Sequence, residues 1–270
     1  MSCAPTADGL RRALPVIDNI GVLSTGKAFT GAYSDHLLED AWTFGGNATF
    51  YLPFGASDDT YLSFDYFGTR FAEQMVVDYE HGLNAIDFYA LGGKRSYSNN
   101  YQVDFNVEAF RRFTVSATFR YTDAKVELEG RGLVERPMTS RYKGVLNLQY
   151  ATNLNKWIFD FTASVNGKSR VYEFMKVVRG EDGELLYKDG YTPVYPLLYL
   201  QVTKRFKGVD LYLGAENLTN FRQKNVVIGT AIEGMSGHVD ASRPDFDASA
   251  VWGPIMGTKF YLGARFTLWK

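Results

Sequence analysis

The chain has 270 residues, 46% hydrophobic, 22% charged and 16% aromatic, with Lys+Arg 29 against Asp+Glu 30 and a net charge of −1. So many aromatics exclude a disordered chain, the balanced charge gives no electrostatic case for nucleic acid, and a single cysteine, Cys3, excludes a disulfide framework or a Cys-rich zinc site. No run reaches the roughly 18–20 apolar residues of a membrane helix, which leaves barrel strands open because they need no continuous apolar run.

Residues 1–41 form an atypical amino-terminal segment. Arg11 and Arg12 are followed by Pro15 and polar residues where a signal peptide would carry its apolar stretch. Val16–Leu23 offers a poorly patterned strand at best. From residue 42 onward the chain reads as all-β.

Weak two-residue alternation covers Trp42–Pro53, Thr60–Tyr79 and Ile86–Tyr101, the last leading into Gln102–Ala109. In Phe113–Thr122, Phe113, Val115, Ala117, Phe119 and Tyr121 alternate with Thr114, Ser116, Thr118, Arg120 and Thr122. In a strand those two sets point to opposite faces, one apolar and one polar. Arg141–Tyr150 is weaker. Trp157–Val165 is clear, with Trp157, Phe159, Phe161, Ala163 and Val165 on one face. Tyr195–Phe206 follows, then Val209–Glu216, with Val209, Leu211, Leu213 and Ala215 on the apolar side. The last segment sets Phe260, Leu262, Ala264, Phe266 and Leu268 against Lys259, Tyr261, Gly263, Arg265 and Thr267.

That makes about nine strands, several of them long, whereas strands of globular proteins run about 5 to 6 residues and bilayer-crossing ones about 9 to 11. Short links at 53–59, 110–112, 151–156 and 207–208 alternate with longer polar stretches at Glu129–Ser140, Tyr172–Pro193 and Asn220–Thr258. The link at Glu80–Ala85 is short and breaks the series. Tight turns at one end and long loops at the other are the habit of outer-membrane barrels. Asp104, Arg120, Asp160, Glu216 and Arg265 all fall on the non-apolar face, where a barrel lumen tolerates charge. Phe113, Val115, Phe119, Phe159, Phe161, Leu211, Leu213, Phe260, Leu262, Phe266 and Leu268 are therefore the candidate lipid-facing residues. A soluble β-protein with a wet outer face and a dry core fits the alternation alone equally well.

The carboxy-terminal third carries stretches that resemble a known family. Leu213-Gly214-Ala215-Glu216-Asn217-Leu218-Thr219-Asn220 is similar to the penultimate strand of TonB-dependent outer-membrane receptors. Phe246–Phe266, with Trp252, Gly253 and Pro254, resembles their last extracellular loop and closing strand. Val76–Tyr79 and Arg95–Asn100 are similar to upstream strands in members from Bacteroidetes-type bacteria. Asn217 and Asn220 suit a strand leaving regular pairing, because Asn bonds nearby backbone and tolerates left-handed geometry. Trp252, Phe260 and Tyr261 lie where an outer aromatic girdle is expected. Thr258 stands where the family usually has Arg or a similar residue, and Lys270 stands where outer-membrane barrels commonly end on an aromatic.

The resemblance implies an outer-membrane location and a 22-stranded barrel around an amino-terminal plug, with residues 42–270 supplying about nine or ten of those strands. The expected function is a part in active uptake of a scarce solute, such as a ferric siderophore, haem, cobalamin or a glycan. The chain is expected to be inactive alone, because plug and TonB-contacting segment are not recognisable in it. The implied partners are outer-membrane lipid, the TonB system through the plug, the remaining amino-terminal part of the barrel and an unidentified small molecule. No cofactor, metal site or nucleic acid is expected, and no enzyme activity. The alternatives are a small closed barrel acting as a passive pore or adhesin and a barrel hydrolase using His81 with Glu80 and His238 with Asp240. Glu181-Asp182-Gly183-Glu184 lacks calcium-loop spacing and reads as a hairpin tip. Arg111-Arg112 reads as an interfacial anchor.

Overall fold

Alternation turns into hydrogen-bonded sheet from Asp40 onward. The computed structural model describes residues 39–78, 80, 87–180, 182–224 and 251–268. Its strands are β1 (Asp40–Tyr51), β2 (Tyr61–Glu73), β3 (Met75–Asp78), β4 (Asp87–Ala90), β5 (Ser96–Phe110) and β6 (Phe113–Leu128). They continue as β7 (Gly132–Glu135), β8 (Tyr142–Ala151), β9 (Trp157–Asn166), β10 (Tyr195–Phe206), β11 (Val209–Glu216) and β12 (Lys259–Phe266). Helical structure among the described residues is limited to 3-10 turns at Asn153–Asn155 and Glu173–Val177.

The main sheet runs β1-β2-β5-β6-β8-β9-β10-β11-β12, with β7 added to the far end of β6. Every pair along it is antiparallel. Successive path strands reverse direction, so the ninth, β12, runs the same way as the first. Joining β1 to β12 would therefore make a parallel pair. Among the described residues the two edges are not paired with each other, and the barrel is open.

Connections between path strands alternate strictly. Residues 52–60, 111–112, 152–156 and 207–208 are the short turns, while 74–95, 129–141, 167–194 and 217–258 are the long excursions. The link at 80–85, expected to be short and out of series, falls in sequence between β3 and β4 within the 74–95 stretch, and its residues 81–85 lie outside the described residues. Gln74 ends the β2 pairing, and β3 and β4 then pair with each other as a separate hairpin. The expected loop 129–140 is partly strand as well, because β6 runs on to Leu128 and folds back as β7. Gly208 (φ 79°) and Arg112 (φ 70°) supply the left-handed residue that each two-residue turn needs.

Cross-strand register sorts the side chains into two continuous faces. One apolar row reads Phe113–Tyr150–Phe159–Val202–Leu213–Leu262. The next reads Val115–Leu148–Phe161–Leu200–Ala215–Phe260. Towards the loop end Val103 pairs with Phe119, and Tyr66, Tyr101, Tyr121 and Tyr142 form an aromatic row. The opposite face is polar, with Asn47–Asp65–Gln102–Arg120–Lys143 in one row and Asn106–Ser116–Asn147–Thr162 in another. Its side chains bond across strands. Gln149 donates to Asp160 at 2.7 Å, Asn147 to Thr162 at 2.8 Å and Ser116 to Asn106 at 2.7 Å.

Candidate functional site

The long excursions at one end of the sheet fold together. Val76 and Leu91 of the β3–β4 hairpin pack on Val126 and Leu128 of β6, with Phe71, Tyr89 and Val134 around them. In the 167–194 excursion Val171, Tyr172, Phe174, Met175, Val178 and Tyr187 form a second core, joined by Met138, Leu186 and Trp252. These are apolar residues in stretches that are polar on average, and they recur without a two-residue period.

An ion network joins the two cores. The Glu80 side chain is 1% exposed and pairs with Arg170, itself 11% exposed. Glu80 Oε2 also accepts the Glu173 N–H at 2.8 Å and lies 3.9 Å from Arg131. Glu173 Oε1 meets Lys176 Nζ at 2.8 Å and Arg131 at 3.7 Å. Its carboxyl is held below the usual carboxylate range, first by the Lys176 hydrogen bond and then by the neighbouring arginines. Arg170 Nε donates to the Glu135 carbonyl at 2.7 Å, and Arg141 pairs with Glu135 while donating to the Tyr191 hydroxyl at 2.7 Å. Burial pushes the Tyr89 hydroxyl up to about 12, helped by Asp78 at 3.3 Å.

The fourth excursion is fastened at its root. Asn217 (φ 52°) and Asn220 (φ 51°) both take left-handed backbone. Asn217 Nδ2 donates to the carbonyls of Phe221 at 2.8 Å and Met256 at 3.1 Å, and its Oδ1 accepts from Thr219 at 2.9 Å. Thr258 returns a hydroxyl bond to the Asn217 carbonyl at 2.8 Å and its N–H to Asn220 at 3.2 Å. The position that departs from the family pattern thus closes this loop base. Over it lies a cleft of about 360 Å³ lined by Leu197, Tyr199, Glu216, Asn217, Gly253, Pro254, Ile255, Met256, Gly257 and Lys259. Tyr199, Glu216 and Lys259 belong to the polar face, so the cleft opens on that side.

The remaining sequence candidates are placed as follows. Phe113, Val115, Phe119, Phe159, Phe161, Leu211, Leu213, Phe260, Leu262 and Phe266 share the apolar face, and Leu268 follows the end of β12, 92% exposed. Leu218 and Thr219 cap β10, where the Leu218 N–H reaches the Leu198 carbonyl at 2.9 Å and Thr219 Oγ1 donates to the Pro196 carbonyl at 3.0 Å. The girdle expectation needs correction at two of its three residues. Trp252 lies under the loops, donating Nε1–H to Tyr187 at 2.9 Å and accepting from Tyr195 at 3.1 Å, with Phe221 beside it. Tyr261 sits on the polar face and donates to Gln201 at 2.9 Å. Only Phe260 faces the apolar side, as strand alternation requires of adjacent residues. The 179–185 tip is a hairpin, bridged between Arg179 and Leu185 with Gly183 at φ 80°. Val16–Leu23, His81, His238, Asp240 and Lys270 lie outside the described residues. No cluster of metal-ligating side chains occurs among the described residues.

Sequence reasoning did not find Glu80, Arg131 and Arg170 as a group, because their partners come from separate excursions.

Several solved structures share the fold. A ferric enterobactin receptor mutant from Pseudomonas aeruginosa, in complex with enterobactin, has a TM-score of 0.53 at 16% identity over 84% of this chain and 31% of that one. The FrpB iron transporter from Neisseria meningitidis has a TM-score of 0.53 at 10% identity over 85% of this chain and 31% of that one. The chain spans less than a third of the length of either. No protein-family model matches the sequence, and no curated protein matches it. The chain has the antiparallel sheet fold of part of this receptor and this transporter.

Proposed function

We propose that this chain forms part of a TonB-dependent outer-membrane receptor that imports a scarce solute, with a ferric siderophore the first candidate and haem, cobalamin or a glycan the others. One observation carries the proposal. A two-faced antiparallel sheet puts all its short turns at one end and all its long, folded excursions at the other, on a backbone that follows solved receptor barrels.

The apolar face would meet lipid. Between Phe113 and Tyr121 of β6, eight residues at about 3.4 Å rise give about 27 Å of strand, or roughly 20 Å of membrane depth at a tilt of about 40°. That approaches the apolar band of about 25 Å in such barrels. The polar face, with its cross-strand network, would line the interior and face a plug through which TonB acts. The knitted loops and the cleft beside Glu216 and Lys259 would meet the ligand.

The direction of the edges favours a share in a larger wall over a small closed pore, because the nine alternating path strands of the described residues cannot close by antiparallel pairing alone. Each unpaired backbone group in hydrocarbon costs several kcal/mol, so the edge strands need partners.

Epitope tags inserted after Gly183 and after Gly208 of the full-length protein test the reading. The first is expected to bind antibody on intact cells and the second only after the outer membrane is permeabilised. Loss of the gene should abolish energised uptake of at least one ferric siderophore, haem, cobalamin or glycan. Equal exposure of both tags, or a chain found outside the outer membrane, overturns the proposal.

A further inference from the structure

The short turns carry an arrangement that solute uptake does not use. Three of them are hydrogen-bonded into one rim. The Ala151 N–H donates to the Arg112 carbonyl at 3.0 Å and the Arg112 guanidinium bonds Asn153. The Arg205 N–H donates to the Lys156 carbonyl at 2.9 Å. Within 111–112, 152–156 and 204–208 the charged residues are Arg111, Arg112, Lys156, Lys204, Arg205 and Lys207, with no carboxylate. Arg205 is neutralised by Asp210 at 3.1 Å, whereas Lys156, Lys204 and Lys207 have no ion pair among the described residues.

Lys204 stands apart from the rest. Register places it on the apolar face, opposite Trp157 on one side and Leu211 on the other. Below the tyrosine row it is the only charged side chain on that face among the described residues. Its ammonium lies 4.1 Å from the Trp157 ring centroid and 5.7 Å from that of Phe206. A cation there is reached from the lipid side, not from the lumen. Two apolar side chains project at the same rim, Leu154 at 84% exposed and Phe206 at 52%. Leu154 also holds left-handed backbone (φ 58°), which a bulky residue rarely adopts.

We propose that this rim is a docking surface for anionic phospholipid headgroups in the leaflet on the turn side. Lys204, Lys156 and Lys207 hold the phosphodiester, and Leu154 and Phe206 enter the acyl boundary. The arrangement joins the two elements of lipid recognition at an interface, juxtamembrane cations and amphipathic or aromatic anchors. Charge complementarity names the headgroup, since a zwitterionic lipid leaves the lysines without net attraction. The inference rests on the barrel reading above.

The test uses the full-length protein in nanodiscs holding spin-labelled phosphatidylglycerol or phosphatidylcholine, with electron paramagnetic resonance reporting the fraction of each held at the protein surface. Wild type is expected to prefer phosphatidylglycerol by about threefold or more at low salt, and K156Q/K204Q/K207Q to bring the ratio close to one. The loop-end variant R95Q/K125Q should leave the ratio unchanged. If the triple variant fails to insert, as judged by heat-modifiable migration, K204M and the salt dependence of the wild type take its place, both expected to lower the ratio. A wild-type ratio of one, or an unchanged ratio in inserted rim variants, overturns the lipid site. A chain that never enters the membrane defeats the barrel reading instead.

Discussion

The Tyr261 ring lies directly across Gly214 of the neighbouring strand, so close that a Cβ there would sit 2.2 Å from a ring carbon. Tyr212 does the same over Gly263, and the two rings meet edge to face with centroids 6.3 Å apart. Gly214→Ala must therefore lift Tyr261 off the sheet and break its bond to Gln201. Overpacking of this kind costs about 1–3 kcal/mol. A lower urea midpoint for the heat-modifiable form would show it, and Tyr261→Phe should cost only about 1 kcal/mol.

Leu146 and Val145 are adjacent in β8 but belong to opposite faces, Leu146 in the row of Ala117 and Ala163 and Val145 in that of Thr118 and Ser164. Leu146→Arg should cost about 2–4 kcal/mol in bilayer and Val145→Arg far less. Equal losses measured by unfolding in vesicles would remove the lipid-facing assignment.

Glu80→Ala leaves buried Arg170 with only the Glu173 carboxylate, at 4.0 Å, and frees the Glu173 N–H. Breaking a buried pair on one side costs about 3–5 kcal/mol, although Arg131 at this site is partly exposed. The expected result is local. Amides of Glu173 and Met175 should exchange roughly a hundredfold faster while β8–β10 keep their protection.

The low-set carboxyl of Glu173 makes the same loop acid-sensitive. Its folded value lies below the ordinary 4.5, so its stabilisation is present above about pH 4.5 and is lost as pH falls through the lower folded value. Protease cleavage within 167–194 should rise at acid pH. Lys176→Met, which removes the principal cause of the shift, should weaken that dependence.

Tyr89 acts at the other extreme. With an ordinary value of 10.0 and a folded value of about 12, its contribution is complete below pH 10 and fades as pH rises towards 12. Burial also raises Tyr187 and Tyr195, so tyrosinate absorbance should develop over a range above pH 10, and Tyr89→Phe should remove part of its late rise.

The main strands were legible because a two-sided sheet forces period two on residues such as Phe113–Tyr121 and Phe260–Phe266. Asn217 and Asn220 were legible because left-handed backbone narrows residue choice. The β3–β4 hairpin and β7 were not, since four-residue strands are too short to show a period. Trp252 was misplaced because a tryptophan near a strand end looks the same whether it faces lipid or packs under loops. Its bonds to Tyr187 and Tyr195 and its packing on Phe221, from other parts of the chain, separate the two. The Glu80–Arg170 pair joins residues 90 apart in sequence, so no local spacing marks it, although Arg170 also lies 4.0 Å from Glu173 three residues on.

Strand β6 is longer than a membrane crossing needs. Its aromatic boundary is at Tyr121, yet pairing continues to Leu128 and returns through β7. Seven residues at about 3.4 Å make roughly 24 Å of strand, or about 18 Å of height at a tilt of about 40°. In the proposed orientation this tip stands clear of the headgroups, braced by Glu80 through Arg131. A large particle arriving from outside, whether antibody, bacteriophage or protein toxin, would touch the tip before it could touch the bilayer.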